Sequence, residues 1–424
     1  MKLNYKRTIF VGFAFFLISA FWQAYDTIVP LILTNRFGME QTWSGLIMAL
    51  DNIFAVVMLP LFGSLSDRTN TPYGRRTPYI FFGTLGAALF FALLGQATSL
   101  TLFILLLLLS LISMATFRSP AVALMPDVTP KPLRSKGNAV INLMGTAGGI
   151  IVLLFASLFH TSEPGKTDFS AYIFAVVGVM IGGLLVFLLT VREPAFVADM
   201  QKQSEGVEDA EEEEREATGG KLSRPQQISL LLILASVALW YIGYNAVISK
   251  YSVYATNILQ VSYSDTLLLA QAAAVVSYIP VGLLASRVGR RRTILLGVAM
   301  LVAAFGGAAF VGEGTPPLVM YFLFALAGVA WATINVNSFP MVVELASGGD
   351  VGRYTGYYYT ASMAAQIVTP VLSGFLMDLF GMRSVLFPYA AVFCALSFLT
   401  MFFVRHGDAR PTPKTGIEAL HPED

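Results

Sequence analysis

Twelve stretches of the chain run for about twenty residues or more with almost no charged side chain, and short polar breaks separate them. A hydrocarbon core of ~30 Å needs about twenty helical residues to cross it. The pattern therefore predicts membrane-spanning helices over 8–34, 42–65, 78–97, 100–126, 138–160, 170–191, 227–249, 264–286, 293–311, 317–341, 355–379 and 384–404. Residues 77 to 117 should not form one helix: they read as a hairpin of two spans turning at Gln96-Ala97-Thr98-Ser99. An even number of spans places both termini on one side of the membrane.

The polar positions inside these stretches repeat. Tyr25-Asp26 falls opposite Tyr244-Asn245, Gly63 opposite Gly282, Arg134 opposite Arg353 and Gly137 opposite Gly356, each pair 219 positions apart. The basic turn Gly74-Arg75-Arg76 answers Gly289-Arg290-Arg291 at a spacing of 215, as a four-residue difference in loop length would give. A membrane chain built twice over has two bundles and one interface, where small transporters place their substrate. The expected fold is an all-α membrane protein of two pseudo-symmetric six-helix bundles, 1–191 and 226–404, with a linker at 192–225 and a tail at 405–424. Gly145/Gly149 and Gly178/Gly182 fit close helix packing. Pro30, Pro60, Pro120, Pro280, Pro340 and Pro370 permit bends within or at the ends of spans.

Composition agrees with a membrane chain: 56% of residues are hydrophobic and only 12% charged. Orientation follows from the basic residues. Placing the N-terminus in the cytoplasm puts 22 of the 27 lysines and arginines inside, leaving Arg36, Lys166, Lys250 and Arg383 outside and Arg118 within a span. The expected location is the cytoplasmic membrane, multi-pass, with both termini inside. Lys2, Lys6 and Arg7 precede an apolar run of roughly 25 residues, too long for a signal peptide and long enough to span. The acidic run Glu208 to Glu214 is expected to be a solvated linker, and Pro411, Pro413 and Pro422 mark a disordered tail.

The same inventory excludes other classes. A net charge of +1 gives no reason for a nucleic-acid partner. Cys394 lies alone in an apolar run and is expected to be a buried, inert thiol. The sequence holds no nucleotide-binding signature, metal-ligand cluster or nucleophile–base pair, and His160, His406 and His421 fall at span ends or in the tail. An enzyme is not expected, nor a cofactor or metal, and no obligate protein partner is evident. Transport would draw on a proton or sodium gradient rather than on ATP.

The break after the second span reads Gly63-Ser64-Leu65-Ser66-Asp67-Arg68, then Gly74-Arg75-Arg76-Thr77-Pro78 after five residues. A small residue, an acid near a helix end and a glycine turn with clustered cations can latch one face through charge pairs and helix dipoles formed in one state. The plain alternative is ordinary topology charge. Candidate gate residues are Gly63, Asp67, Arg68, Gly74, Arg75, Arg76, Asp127, Arg134, Gly282, Arg290 and Arg353. Ser286 stands opposite Asp67 in the second copy, so an asymmetric latch is expected.

This loop resembles the signature loop of the major facilitator superfamily, in the form found in glycoside–pentoside–hexuronide:cation symporters and plant-type sucrose–proton symporters. Ala123-Leu124-Met125-Pro126-Asp127-Val128-Thr129-Pro130, followed by Arg134 and Gly137, is similar to the segment leaving the fourth helix of those carriers. The resemblance implies a twelve-helix carrier for a sugar or glycoside, coupled to a cation. One departure stands out. Plant sucrose carriers hold both an aspartate and an arginine in that helix; here Val122 occupies the arginine position, Arg118 lies one turn earlier, and no carboxylate precedes Asp127.

Charges inside a span are expensive and usually face a cavity or a partner. Asp26, Asp51 and Arg118 lie within spans of the first half, whereas Glu344 and Asp378 in the second half sit near span ends. At a rise of ~1.5 Å per residue the two carboxylates differ in depth by only about 5 Å, so they could share a cation site. A salt bridge between Asp51 and Arg118 is the competing reading, and such a pair could itself be a switch. Asn245 at the duplicated position shows that the backbone accepts a neutral residue there, so the charge of Asp26 has another reason.

Sugars are bound by aromatic faces and by amide or carboxylate groups. Trp22 and Asp26 share a helix face, as do Tyr241 and Asn245, and span 10 offers Trp331, Asn335 and Ser338. Gln23, Tyr25, Asn52, Gln271, Tyr358 and Gln366 complete the candidates, with packing as the plain alternative for each aromatic. Two further functions compete: a proton-coupled exporter of amphipathic molecules, and a non-transporting receptor that kept the fold.

Overall fold

In hydrocarbon a backbone N–H or C=O has no water to bond, so each must be satisfied within its own segment or in a closed barrel. The computed structural model, which describes residues 3–130, 133–204, 223–312, 314–343, 345 and 351–406, takes the helical solution. Its helices are α1 (Tyr5–Leu31), α2 (Gln41–Arg68), α3 (Thr77–Gly95), α4 (Leu100–Val128), α5 (Arg134–Leu158), α6 (Ser170–Thr190) and α7 (Glu193–Ser204). The series continues with α8 (Arg224–Tyr254), α9 (Tyr263–Val288), α10 (Arg290–Ala309), α11 (Pro317–Val343), α12 (Val351–Phe380) and α13 (Met382–Phe402). Among the described residues, twelve helical segments are long and apolar enough to cross a membrane, and only the short α7 falls outside that set. The expected hairpin turn is present: Gln96 caps the end of α3, and the Ser99 side chain accepts the Leu102 N–H at the start of α4.

The expected linker opens with a helix, Glu193–Ser204. Lys250, expected in an outer loop, lies within α8 and is fully buried. Its neighbours Tyr251 and Tyr254 are also buried, Tyr251 stacking on Phe324 at 4.0 Å, so tertiary packing extends this helix past its polar residues. α1 and α8 each end in a π-helical turn, Ile32–Arg36 and Ala255–Leu259; the first follows Pro30, which frees a carbonyl within the helix. The acidic run 208–214, Glu344 and the tail prolines lie outside the described residues.

The chain divides into two compact units, Met1–Gly38 with Leu50–Gly206, and Met39–Ala49 with Val207–Asp424. The first turns of α2 fall in the second of these units. In the first unit α1 packs on α5 and α6, and α3 on α4 and α6. In the second, α8 packs on α12 and α13, α9 on α11, and α10 on α11 and α13. Cys394 is buried in the second core.

The α1–α5 seam is built by small residues. A Cβ on Gly148 would lie 2.5 Å from the Phe16 carbonyl oxygen, and one on Gly145 2.8 Å from Ser19 Oγ. The expected pair Gly178/Gly182 does not serve this purpose: nothing among the described residues lies within 4 Å of either added Cβ. Gly183, one residue on, instead faces Phe16 and Leu17. The two kinds of glycine should separate in stability. Gly148→Ala should cost about 1–3 kcal/mol, while Gly178→Ala should stay within about 0.5 kcal/mol of the parent, in thermal unfolding of detergent-solubilised protein.

Candidate functional site

In the first unit, α1 presents Trp22, Gln23, Tyr25 and Asp26 over little more than one turn, α2 presents Asp51 and Asn52, and α4 presents Arg118. Tyr25 is fully buried, with its ring near that of Phe21. Trp22 sits edge-on to Tyr25 at 5.3 Å, and the Arg118 guanidinium carbon lies 5.4 Å from the Trp22 ring centroid. That placement lets the ring quadrupole stabilise a cation with little water around it. Asp26, Asp51 and Arg118 are each half-buried and lie within electrostatic range of one another.

The Asp51–Arg118 salt bridge is not formed. Among the described residues no ion pair joins Arg118 to either carboxylate, and Asp51 Oδ1 instead accepts from Asn52 Nδ2 at 2.8 Å. Trp22 Nε1 is buried without a hydrogen-bond partner among the described residues. A buried donor left open costs about 1–3 kcal/mol, which a water or a ligand group would recover.

The second unit carries a more neutral set. Tyr244 stacks on Trp331 at 3.9 Å with an interplanar angle of 8°, and Tyr241 meets the same indole edge-on at 5.5 Å. One face of Trp331 is thus already covered. Tyr244 was not among the substrate candidates, although its repeat counterpart Tyr25 was. Asn245 Nδ2 is buried and unpartnered among the described residues, as is Oδ1 of the fully buried Asn337, whose Nδ2 donates to the Thr333 carbonyl. Asn335 and Gln271 are half-buried on α11 and α9. Gln366 Nε2 approaches the Ser362 carbonyl at 3.4 Å, and Ser338 pairs with Tyr358 at 2.9 Å.

The loop after α2 forms a dense ionic cluster within the first unit. Arg76, 3% exposed, bonds Asp67, Asp127 and Ser66, and approaches the Gly63 carbonyl at 3.5 Å. Arg75 adds a second pair to Asp127 at 2.7 Å. Burial works against the Arg76 cation, but the bonds and charges of Asp127 and Asp67 outweigh it and hold its pKa above the ordinary arginine value.

Glu193 completes this cluster, and sequence reasoning missed it. It is 1% exposed, and its carboxylate accepts the N–H groups of Arg75, Arg76 and Thr77 at 2.8–2.9 Å and the Thr77 hydroxyl at 2.8 Å. A carboxylate there satisfies the open amides at the start of α3 and the positive end of its dipole. Gly74 turns the loop at φ +110°, and a Cβ on it would lie 2.3 Å from Glu193. The available signal was an acid directly after the sixth span, in Arg192-Glu193-Pro194.

The other gate candidates scatter. Arg134 donates to the Pro126 and Thr129 carbonyls at the end of α4. Arg68 is exposed at the end of α2, Arg290 is buried, and Arg353 donates to Tyr357 Oη at 2.6 Å. Nothing among the described residues lies within 4 Å of a Cβ on Gly282. In the second copy of the basic turn, Arg291 bonds the Phe402 carbonyl at the end of α13.

A model of the Major Facilitator Superfamily matches residues 11–346 and 263–422. The chain is 22% identical, over 94% of its length and 95% of the relative, to an uncharacterised MFS-type transporter of Methanocaldococcus jannaschii. It is 23% identical, over 95% of its length and 94% of the relative, to the multidrug resistance protein MdtG of Citrobacter koseri. The nucleoside transporter NupG superposes with a TM-score of 0.69 at 12% identity, covering 94% of this chain and 99% of that one.

Glu193→Ala should lower stability by about 2–4 kcal/mol, because three N–H groups and the Thr77 hydroxyl lose their shared acceptor. Glu193→Gln, which keeps one acceptor, should fall between it and the parent. Equal melting temperatures for all three proteins would show that the cap is not required.

Proposed function

On the premise that this chain belongs to the Major Facilitator Superfamily of transporters, we propose that it is a secondary active carrier that moves a sugar or glycoside together with a cation by alternating access. The favoured cation is a proton, with sodium the other candidate. The observation that carries this reading is the Asp26–Asp51–Arg118 set, three half-buried ionisable groups within spans and within electrostatic range. Charged groups in hydrocarbon are retained where they bind or relay charge. Arg118, held over Trp22 and joined to neither carboxylate, leaves both free to take up a cation. Asp26 is the primary coupling group, Asp51 its partner, and Arg118 the counter-charge.

Trp22, Gln23, Tyr25 and Asn52 in the first unit, and Tyr241, Asn245, Gln271, Trp331, Asn335 and Gln366 in the second, are the proposed substrate contacts. The open donors on Trp22 and Asn245 support that role. The loop cluster around Arg76 acts as the gate on the cytoplasmic side in the orientation set by the basic residues, with both termini inside. A second reading, proton-coupled export of amphipathic molecules, is favoured by the likeness to MdtG.

Uptake of labelled mono- and disaccharides into proteoliposomes, under an imposed proton or sodium gradient, separates the two. Accumulation of one sugar under one gradient supports symport; none, from folded protein, favours export. With a substrate in hand, Asp26→Asn should abolish gradient-driven accumulation while leaving exchange measurable. Trp22→Ala should weaken binding about tenfold or more, with expression and melting temperature little changed. Loss of binding with intact coupling in Asp26→Asn would remove that residue from its role.

A further inference from the structure

Arg118 is a half-buried cation within a span, and among the described residues its guanidinium enters no hydrogen bond or ion pair. Its N–H donors, set on a rigid planar fork, are therefore open. Trp22 Nε1 is sealed from a water-sized molecule, but the nitrogens of Arg118 are not, so a small molecule can reach the fork. Asp26 on α1 and Asp51 on α2 lie within electrostatic range of it, yet neither is bonded to it.

Recognition of a pyranose by stacking needs an open ring face. Arg118 covers one face of Trp22, and Phe21 and Tyr25 meet the indole at 5.4 and 5.3 Å with interplanar angles of 85° and 88°. The indole is thus a platform for the guanidinium. In the second unit Tyr244 covers one face of Trp331. Stacking surface is limited in both units, whereas the fork is free. A guanidinium fork matches a carboxylate in bidentate geometry, and a charge-assisted bond is roughly twice as strong as a neutral one. A sugar hydroxyl can take one donor of the fork but brings no charge. A phosphate dianion would set two charges against one cation, with two carboxylates beside it. One carboxylate is the better match.

We propose that Arg118, held over Trp22, is the docking point for a carboxylate on the substrate, so that the carried molecule is a sugar acid and not a neutral sugar. This rests on the sugar-carrier reading above. The charged groups acting on Arg118 are Asp26 and Asp51, and Tyr25 lies beside both carboxylates. Each cation taken up at Asp26 or Asp51 removes a charge that repels the incoming acid. Acid and coupling cation therefore strengthen each other's binding. Trp22 acts by positioning the fork, and its open Nε1 remains available to the substrate.

Binding of labelled galacturonate, its methyl ester and galactose to the purified protein tests this, with lactate as an acid that is not a sugar. The acid should bind the parent about tenfold or more tightly than the ester, which keeps the ring and lacks the charge. Arg118→Gln should abolish that preference, and Arg118→Lys, which keeps the charge without the fork, should fall between. The acid should bind more weakly at about pH 8 than at about pH 6, both above its own carboxyl titration, and the ester equally at both. Equal or tighter binding of the ester would overturn the proposal on the parent alone, whether or not the variants fold. So would an acid preference that survives in folded Arg118→Gln, or no acid bound by folded parent. Acid affinity that ignores pH would overturn the link to the coupling cation. Lactate bound through Arg118 with no sugar bound would uphold the carboxylate site and overturn the sugar reading. A preference for galactose and the ester would do the reverse.

Discussion

The absence of water in the hydrocarbon layer governs this molecule, because there a polar group without a partner has nothing else to bond. The backbone answers with long helices, and almost every side chain in their middles is apolar. Against that background Asp26, Asp51 and Arg118 stand out, and so do their arrangements. They do not neutralise one another by direct contact. The cation lies on an aromatic ring and one carboxylate takes an amide.

A second theme is the helix terminus. Glu193 caps the start of α3, Asp378 caps the start of α2, and Arg134 and Arg291 bind the last carbonyls of α4 and α13. Each joins a side chain to the dipole end it complements. Termini cannot satisfy their own groups, and charged side chains are tolerated where the helices emerge. The ionic architecture of the chain therefore concentrates at the ends of spans.

The duplicated halves differ in charge at matching positions. Asp26 answers Asn245, Arg118 answers Asn337, and Asp67 answers Ser286. In every pair the first half is ionic and the second neutral. The second half instead holds a closed aromatic stack of Tyr244 on Trp331 and amides with buried open atoms.

Much of this was legible in the sequence. Spans follow from runs of apolar residues because hydrocarbon thickness sets their length, and the hairpin at residues 96–99 follows from a charge-free run too long for one span and the polar break within it. The intramembrane charges announce themselves by their cost, and the repeat identifies their neutral counterparts. Tertiary structure decided the partners. That Arg118 lies over Trp22 and not on Asp51, that Glu193 reaches the start of α3, and that Lys250 is buried on the Gln41 carbonyl all depend on pairings far apart in sequence. Helical periodicity says which residues share a face, but not which face of another helix meets it. Gly178 and Gly182 satisfy the small-residue spacing, yet among the described residues nothing lies within 4 Å of a Cβ added to either, whereas Gly148 carries the close contact, because steric fit is a property of two surfaces and the sequence displays each of them alone.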